Sequence, residues 1–309
     1  MKAMVFTRPE TVEMLDVPPP EAAPGDVIVD VRAVGICGSE LHGIGPQTLR
    51  RPPLIMGHEL GGLVGNRRVT VNPLLSCGEC DRCVAGEDNL CRDRAIVGID
   101  RPGAFAEAVA VPERAIHEID PAMTFETAAM VEPLANAVHA LGLANPDPSD
   151  RIAVIGAGAV GLMCLLIARR RFARVDVCDL DAHRLETARR LGASSTATAL
   201  QGEYDVVIDA VGAEATHRAS LDVLRPGGTA VWIGLQSREP GFDGQDIVRE
   251  EKRVLGSYCY TRADFAAAVK LAAELPLDWY TPFPLGEGVD IFTKLMAGTA
   301  GAVKAVLVR

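Results

Sequence analysis

The sequence predicts an α/β protein in which a doubly wound parallel sheet follows a compact β-rich barrel. Three observations carry this prediction. A glycine-rich turn over residues 156–161 (GAGAVG) interrupts an apolar segment halfway along the chain. After that turn, β-branched runs alternate with helix-like segments, which is the pattern of parallel βαβ units. Before it, residues 1–122 contain short β-prone segments separated by proline and glycine, which favours a barrel.

The composition is that of an ordinary globular chain. Of 309 residues, 48% are hydrophobic and 23% are charged, which argues against an intrinsically disordered protein. A net charge of −10 without a basic cluster argues against nucleic acid or an anionic membrane as the partner. The N-terminal segment contains no signal-peptide core, and the longest uncharged stretch (152–168) contains the glycine turn. We therefore expect a cytoplasmic protein that acts on a small molecule.

The predicted elements follow from local patterns along the chain. Residues 124–143 show helical spacing, and the following segment NPDP at 145–148 ends this helix. The last strand is expected at an edge of its sheet. The predicted strands cover 4–6, 27–31, 68–71, 105–111, 152–155, 173–177, 204–210, 229–234, 254–259 and 304–308, and the later helices cover 182–191, 213–224, 262–273 and 288–296.

The glycine turn is the signature of a dinucleotide-binding unit. Gly156 would make the tight turn, Gly158 would let the backbone approach a pyrophosphate, and Gly161 would let helix and strand pack closely. The phosphates would then face free N–H groups at the helix N-terminus. For the motif alone, a glycine-rich turn in another kind of α/β unit is the alternative. The predicted phosphate-binding residues are Gly156, Ala157, Gly158, Ala159, Val160 and Gly161.

An acidic residue after the next strand indicates which coenzyme is used. Asp179 lies 18 positions beyond Gly161, near the distance at which an acid holds the ribose hydroxyls of NAD and repels a 2′-phosphate. Its alternative role is to cap the following helix. Arg184, one turn further, either pairs with a phosphate or is solvated. We predict NAD as the coenzyme.

The ends of two later strands are further candidates for the coenzyme site. Because ligands bind outside the carboxyl ends of parallel strands, these residues should line the adenosine and nicotinamide ends. Ordinary strand-end turns are the alternative. The candidates are Val211, Gly212, Ile233, Gly234 and Leu235.

Four cysteines form a compact candidate metal site. They follow the spacing C-x2-C-x2-C-x7-C, so their thiolates can surround one tetrahedral ion, for which zinc is the default. An iron–sulfur cluster and a disulfide pair are the alternatives, although the last spacing does not match that of a ferredoxin. Three other cysteines, at 164, 178 and 259, lie in apolar patterns and are predicted core residues. The four candidate ligands are Cys77, Cys80, Cys83 and Cys91.

A second set of possible metal ligands is dispersed along the chain. Cys37, His58 and one carboxylate would form a three-ligand site with an open position, as a catalytic zinc requires. The carboxylate is either Glu59, directly after His58, or Glu132 in the segment VEPL. Singly, each residue could belong to the core or the surface. Their occurrence beside a thiolate cluster and a coenzyme motif favours a metal site.

With these motifs in order, the chain resembles the medium-chain zinc-dependent alcohol dehydrogenases, especially the polyol (sorbitol-like) and threonine dehydrogenases. The resemblance covers essentially the whole chain: C-x-S-x-x-H at 37–42, G-H-E at 57–59, the four-cysteine lobe, E-P-L at 132–134 and the glycine turn. It implies a GroES-like catalytic domain over 1–144 and 262–309, with a structural zinc lobe at about 77–91. It also implies a Rossmann NAD-binding domain over 145–261.

The same resemblance implies an activity and a set of roles. The expected reaction transfers a hydride between NAD and a secondary alcohol or polyol, such as a sugar alcohol or cyclitol. Ser39 and His42 match a relay that passes the proton through the nicotinamide ribose to solvent. In polyol-type relatives the glutamate of G-H-E, here Glu59, binds the metal, and the glutamate of E-P-L, here Glu132, holds the metal-bound water or replaces that water. One catalytic zinc, one structural zinc and a homo-oligomer, dimer or tetramer, are implied.

Two other function classes are alternatives. A zinc-free quinone or enone reductase on this scaffold would lack the ligand set. A non-catalytic NAD-binding redox sensor would have a damaged relay, whereas Ser39 and His42 are both present. The sequence departs from the family in a short connection between Gly61 and Val69, so the subunit contacts of relatives need not hold here. The loop 43–53 is expected to border the pocket, with its two arginines holding an anion or forming a solvated pair.

Overall fold

The computed structural model describes residues 1–46, 48, 50–237 and 244–309. The elements below are numbered in chain order. The described strands are β1 (Lys2–Arg8), β2 (Thr11–Asp16), β3 (Asp26–Gly35), β4 (Leu54–Ile55), β5 (Glu59–Val64), β6 (Arg67–Val71), β7 (Leu74–Leu75), β8 (Ala95–Ile96), β9 (Ala108–Pro112), β10 (Ile116–Glu118), β11 (Ile152–Ile155), β12 (Val175–Cys178), β13 (Ser195–Ala197), β14 (Tyr204–Asp209), β15 (Leu224–Trp232), β16 (Arg253–Gly256), β17 (Thr281–Pro284) and β18 (Ala305–Val308). The described α-helices are α1 (Gly38–His42), α2 (Asp81–Val84), α3 (Phe125–Ala129), α4 (Val131–Ala144), α5 (Ala159–Arg169), α6 (Ala182–Arg190), α7 (Glu214–Asp222), α8 (Gly244–Arg249), α9 (Arg262–Ala272) and α10 (Gly288–Met296).

One compact unit consists of Met1–Glu132 and Thr261–Arg309. Its main sheet has the order β10-β6-β5-β3-β18-β17, and β3 pairs in addition with β9. A second sheet has the order β2-β1-β4. The buried side chains of Phe6, Phe105 and Phe292 belong to one apolar core in this unit. Because β18 lies between β3 and β17, the expected edge position of the last strand is wrong.

The other unit consists of Pro133–Tyr260. Its sheet has the order β13-β12-β11-β14-β15-β16, and every neighbouring pair is parallel. Strands β11, β12 and β14 are buried along their whole length, as expected of a parallel sheet covered on both faces. The direction of winding reverses at β11, so the carboxyl ends of β11, β12 and β14 meet at a switch point. This sheet confirms the predicted doubly wound architecture.

The single helix expected over 124–143 is two helices, α3 and α4. Helix α3 ends at Ala129, with Met130 as its C-cap, and Pro133 lies in the first turn of α4. Proline has no N–H and its ring clashes with the carbonyl four residues earlier, so a continuous helix through Pro133 is disfavoured. The two units divide between Glu132 and Pro133. The domain limits implied by the resemblance stay a prediction.

Two further local features follow from the sequence. The short connection after β5 is a two-residue hairpin, in which Val64 pairs with Arg67 and Gly65 has a positive φ of 58°. Cys164 and Cys178 are buried core residues as predicted, and burial raises the pKa of their thiols to about 12 and 11. Cys259 is only half-buried and lies beyond the end of β16, which differs from the prediction. Within the described ranges, no helix has both the length and the apolar character needed to cross a membrane.

Candidate metal and coenzyme sites

The structure brings together three of the dispersed candidate ligands. Cys37 lies directly before α1, and His58 and Glu59 lie at the start of β5. One ligand atom from each of these residues lies within 4.8 Å of the other two. Gly57 permits this turn: its φ is +95°, and a Cβ there would lie 2.7 Å from the backbone nitrogen of Phe105. A soft sulfur, an imidazole nitrogen and a carboxylate oxygen are the donors that zinc takes in proteins.

Sequence reasoning missed the carboxylate that positions this cluster. Glu40 is fully buried and accepts hydrogen bonds of 2.9 Å from the backbone N–H groups of Cys37 and Gly57. Its Oε1 lies 3.0 Å from Nδ1 of His58. Burial alone would raise its pKa, but His58 and the Cys37 N–H hold the pKa of the Glu40 carboxyl below its ordinary value. The position of Glu40 as the third helical residue after Cys37, as in a capping box, was the available sequence signal.

The electrostatics of His58 follow from the same contact. Burial disfavours the charged imidazole, yet Glu40 and Cys37 raise the pKa of His58 well above its ordinary value in the metal-free chain. With Nδ1 facing Glu40, the other ring nitrogen is the donor available to a metal ion. A carboxylate behind a ligating histidine fixes the ring orientation and increases its basicity. The donor set and its support therefore fit a zinc ion.

A buried lysine also reaches this cluster and was not predicted. The Nζ atom of Lys304 contacts the carboxylate of Glu59 and donates to the Ile36 carbonyl oxygen at 3.0 Å. Burial alone would lower the pKa of Lys304, but Glu59 and Cys37 raise it. Lys304 is 245 positions from Glu59, so no local pattern indicates the contact.

The remaining predicted residues of this site have different positions. Ser39 and His42 are exposed on α1, three positions apart, and Ser39 Oγ lies 3.3 Å from Cys37 Sγ. Glu132 is buried at the start of α4. It is not part of the ligand cluster found in the described ranges, and its role at a metal stays a prediction.

Arg50 is buried, which differs from the expectation of a solvated surface pair with Arg51. It is 8% exposed, whereas Arg51 is exposed. Its guanidinium lies against Gly43, where a Cβ would overlap Nη1, and its charge helps to lower the pKa of Glu40. Its Nε and Nη2 atoms have no hydrogen-bond partner among the described residues. Two positions of the expected pocket loop, Gln47 and Leu49, lie outside the described residues.

The four-cysteine cluster has the dimensions of a tetrahedral thiolate site. The Sγ atoms of Cys77 and Cys83 are 3.8 Å apart, those of Cys80 and Cys83 are 3.5 Å apart, and those of Cys91 and Cys77 are 3.6 Å apart. Four sulfurs around one zinc ion, each at about 2.3 Å, would be separated by about 3.8 Å. All four cysteines are free. The cluster therefore fits a closed zinc site.

The lobe that carries these cysteines is fastened by Arg262 at the start of α9. The Arg262 backbone N–H donates to Asp88 at 3.1 Å, and Nη2 donates to Ser76 Oγ at 2.6 Å. Both residues are buried; Ser76 directly precedes Cys77, and Asp88 lies three residues before Cys91. The lobe is therefore held in part by Arg262, a residue that lies far from the lobe in the sequence.

In the metal-free chain, Cys77 is expected to be alkylated before Cys83. Backbone N–H groups of Glu79 and Cys80 lower the pKa of its thiol to about 7, whereas burial raises that of Cys83 to about 11. Iodoacetamide attacks the thiolate, so labelling of Cys77 should increase through pH 7, and that of Cys83 only as the pH approaches 11. Peptide mass spectrometry after a brief pulse measures this. Added zinc should protect Cys77; equal labelling of both cysteines at neutral pH would contradict the prediction.

The glycine turn of the second unit leaves open space where a phosphate would bind. Gly156 follows β11 with a φ of +93°, and a Cβ there would lie 2.5 Å from Val211 Cγ2. A Cβ at Gly161 would overlap the Gly156 carbonyl oxygen, whereas Gly158, before the first residue of α5, has open space beside it. Ala159 and Val160 begin α5 and are half-buried. The N–H groups of the first turn of α5 therefore border the open space beside Gly158, where a phosphate could bind.

Asp179 lies at the carboxyl end of β12, next to the glycine turn. Its carboxylate accepts a hydrogen bond from the Ala157 N–H at 2.7 Å, and Nη1 of Arg184 lies 3.8 Å from the same oxygen. The cap of α6 is Asp181, which accepts from the N–H groups of His183 and Arg184, so capping is not the role of Asp179. Arg184 is thus paired with an acid rather than free in solvent.

The strand-end candidates lie at the carboxyl ends of β14 and β15. The fully buried Asp209 carboxylate, which was not predicted, accepts from the N–H groups of Val211 and Gly212 at 2.9 and 3.0 Å. A Cβ at Gly212 would overlap the backbone of Gly234, and a Cβ at Gly234 would overlap the backbone of Val211. The two glycines therefore permit the segments that follow β14 and β15 to approach each other closely. Ile233 follows β15, and Leu235 is 82% exposed at this edge.

Comparison with known proteins identifies the family of this chain. A family model described as the alcohol dehydrogenase GroES-like domain matches residues 23–121, and one described as zinc-binding dehydrogenase matches 159–274. L-threonine 3-dehydrogenase of Streptomyces avermitilis is 34% identical, with 84% of each chain covered. D-xylulose reductase A of Aspergillus oryzae is 33% identical, with 80% of this chain and 79% of the relative covered.

A solved structure from Sinorhizobium meliloti, of a protein assigned as a zinc-binding dehydrogenase and bound to NADP, is 30% identical. It has a TM-score of 0.91 over 100% of this chain and 99% of its own. The chain belongs to the zinc-dependent medium-chain alcohol dehydrogenase family, in the branch of polyol and threonine dehydrogenases. It is an oxidoreductase with a GroES-like domain and a Rossmann-type sheet, as the sequence predicted.

Proposed function

We propose that this chain oxidises a secondary alcohol or polyol, with NAD as hydride acceptor, at a zinc ion held by Cys37, His58 and Glu59. The convergence of these three donor groups within 4.8 Å carries the proposal. Relatives named for xylulose and threonine support a secondary alcohol as the reacting group. A zinc ion held there would lower the pKa of an alcohol and so favour loss of its proton at neutral pH.

The chain's own residues support this chemistry in three ways. Glu40 holds the His58 ring in place through its contact with Nδ1. Ser39 and His42 lie exposed on one short helix and would carry the alcohol proton toward solvent, because a hydroxyl and an imidazole can each accept and donate a proton. Glu132 is a further candidate for contact with the same metal. The four-cysteine lobe would hold a second, structural zinc.

The residues proposed to hold NAD lie along one edge of the parallel sheet. The pyrophosphate would bind the N–H groups of the first turn of α5, which follows the glycine turn, and the ribose hydroxyls would bind Asp179. The strand-end residues after β14 and β15 would contact the rest of the coenzyme. The neighbour from S. meliloti holds NADP, so the choice between the coenzymes is tested directly below.

Replacing Asp179 by asparagine is expected to raise the KM for NAD by about 10-fold to 100-fold. The substitution keeps the shape of the side chain but removes the charge that would hold the ribose hydroxyls, and such hydrogen bonds contribute about 1.5–3 kcal/mol. The ratio of kcat/KM for NADP to that for NAD should increase. Asp181→Asn, two positions on at the α6 cap, is the matched control and should leave both values near wild type. An unchanged KM in Asp179→Asn would contradict the assignment.

Metal analysis and a substrate panel test the reaction. The purified chain should contain about two zinc ions, and NADH formation should be measured with sugar alcohols, cyclitols, L-threonine and simple secondary alcohols. Alcohol oxidation that a chelator abolishes and zinc restores supports the proposal. Reduction of quinones or enones without zinc would support the reductase alternative, and coenzyme binding without turnover would support a sensor.

We also propose that the chain is a cytoplasmic homo-oligomer. In the described part of the second unit, β16 ends the sheet and pairs only with β15, and an unpaired strand edge can pair with the same edge of a second copy. All eight cysteines are free, which agrees with a reducing compartment. Light scattering would distinguish a dimer from a tetramer.

A further inference from the structure

Two opposite charges are buried together beside the catalytic cluster. The side chains of Lys304 and Glu59 are 2% and 1% exposed, and the lysine Nζ contacts Oε2 of the carboxylate. The same Nζ donates to the carbonyl oxygen of Ile36, the residue before Cys37. A charge removed from water is costly unless a partner compensates it. Each of these groups is therefore stable in its position only because of the other.

The register of β18, β3 and β5 makes this contact possible. Gly35 of β3 pairs with Val306 of β18 on one side and with Glu59 of β5 on the other. A Cβ at Gly35 would lie 2.0 Å from Glu59 Oε2 and 2.9 Å from Lys304 Cε. The lysine side chain thus passes over a position without a side chain to reach a residue on the strand beyond it. The glycine keeps that path open.

The charge balance of the metal-free site depends on this lysine. Glu59 shares the cluster with the Cys37 sulfur, and the buried carboxylate of Glu40 contacts His58 and the Cys37 N–H of the same cluster, so several negative charges lie there when the ligands are deprotonated. Like charges at such distances disfavour one another. Glu40 has His58 and Arg50 to balance it. Glu59 has Lys304.

We propose that Lys304 is a positioning residue that acts as the resident counter-ion of the catalytic metal site. It holds Glu59 by one carboxylate oxygen, so that the three donor groups stay together when no metal is present. The proposal rests on the function proposed above, in that Cys37, His58 and Glu59 are taken as the metal ligands. It goes beyond that function by assigning the metal-free state of the site its own stabilising cation.

Removing the lysine should harm the metal-free protein more than the zinc-loaded one. In the full-length Lys304→Met variant without metal, Glu59 would be a buried charge without a partner, and the thermal midpoint should fall by about 5 °C or more. Zinc would restore a positive charge beside Glu59, so the zinc-induced rise in midpoint should exceed that of wild type. Binding of zinc to the four-cysteine lobe raises both proteins equally and cancels in this comparison.

Two control variants separate this effect from the loss of any lysine. Lys304→Arg keeps the charge and should show the zinc-induced shift of wild type. Lys252→Met removes another mostly buried lysine, which pairs with Glu250 at 2.6 Å in the other unit. It should lower both midpoints equally, if it lowers them at all.

The double variant Lys304→Met/Glu59→Gln decides whether charge is the cause. Without metal it should recover most of the midpoint lost in Lys304→Met, or fold where the single variant does not. The proposal is overturned if the metal-free single and double variants unfold at the same temperature, or if neither folds. It is also overturned if zinc shifts Lys304→Met and wild type equally while both bind two ions. A wild-type chain that binds only the lobe zinc would contradict the proposed function, and the metal-free comparison would still decide the role of Lys304.

Discussion

Replacing His58 by alanine is expected to lower kcat/KM for alcohol oxidation by about 1,000-fold or more. A metal ion contributes several kcal/mol to such a reaction, and each 1.36 kcal/mol is a factor of ten in rate. His58 is the imidazole donor of the cluster, is 5% exposed and contacts the buried Glu40. Loss of the imidazole should remove one of the two zinc ions and the contact between Glu40 and His58 Nδ1. Steady-state kinetics and metal analysis on the same preparation measure both effects.

Coenzyme binding separates this loss from general unfolding. The proposed NAD residues lie in the unit Pro133–Tyr260, whereas His58 lies in the other, so the affinity for NADH should stay within a few-fold of wild type. His183→Ala, which removes an exposed histidine on α6, is the matched control and should change neither zinc content nor turnover. If His58→Ala keeps two zinc ions and an activity within ten-fold of wild type, the zinc mechanism is wrong.

Replacing Cys91 by serine is expected to remove the structural zinc and lower the thermal midpoint by about 10 °C or more. Binding energy at a structural zinc site is folding energy, because the unfolded chain has no preformed site. Cys91 is fully buried, and its sulfur lies 3.6 Å from that of Cys77. Several kcal/mol lost from this lobe would correspond to a shift of this size. Calorimetry with and without a chelator measures it.

The catalytic metal should survive this change. Cys91→Ser should retain one zinc ion per chain and a measurable rate at temperatures below its midpoint, since Cys37, His58 and Glu59 are unaltered. Cys259→Ser, at a half-buried position outside both clusters, should keep both ions and a midpoint close to wild type. A Cys91→Ser protein with two zinc ions and an unchanged midpoint would show that the lobe holds no structural metal.

Features that depend on neighbouring residues could be predicted from the sequence. The four lobe cysteines lie within residues 77–91, so their spacing alone determines that their sulfurs can meet around one ion. The strand, the glycine turn and the following helix are likewise consecutive, and the alternation after them predicts the parallel sheet. The break between α3 and α4 at Met130 could also have been predicted, because Pro133 cannot continue a helix from the preceding turn.

Features that depend on distant residues required the tertiary structure. Sequence gave two candidates for the carboxylate ligand, and the fold brings Glu59 rather than Glu132 into the cluster with Cys37 and His58. From the sequence, Arg50 was expected to be a solvated residue of its loop, but in the structure its guanidinium is buried against Gly43. Burial and ion pairing of such residues depend on which segments pack against them, and the local pattern does not contain that information.

The sequence by itself determined the four-cysteine site and the dinucleotide turn, because each depends on residue types at short spacings, and the motifs together indicated the class of chemistry. Only the tertiary structure decided how the catalytic cluster is held. Glu40 lies behind His58, and Lys304 reaches Glu59 across 245 positions. That contact depends on the register of β18, β3 and β5, and a shift by one residue would turn these side chains to the opposite face of the sheet.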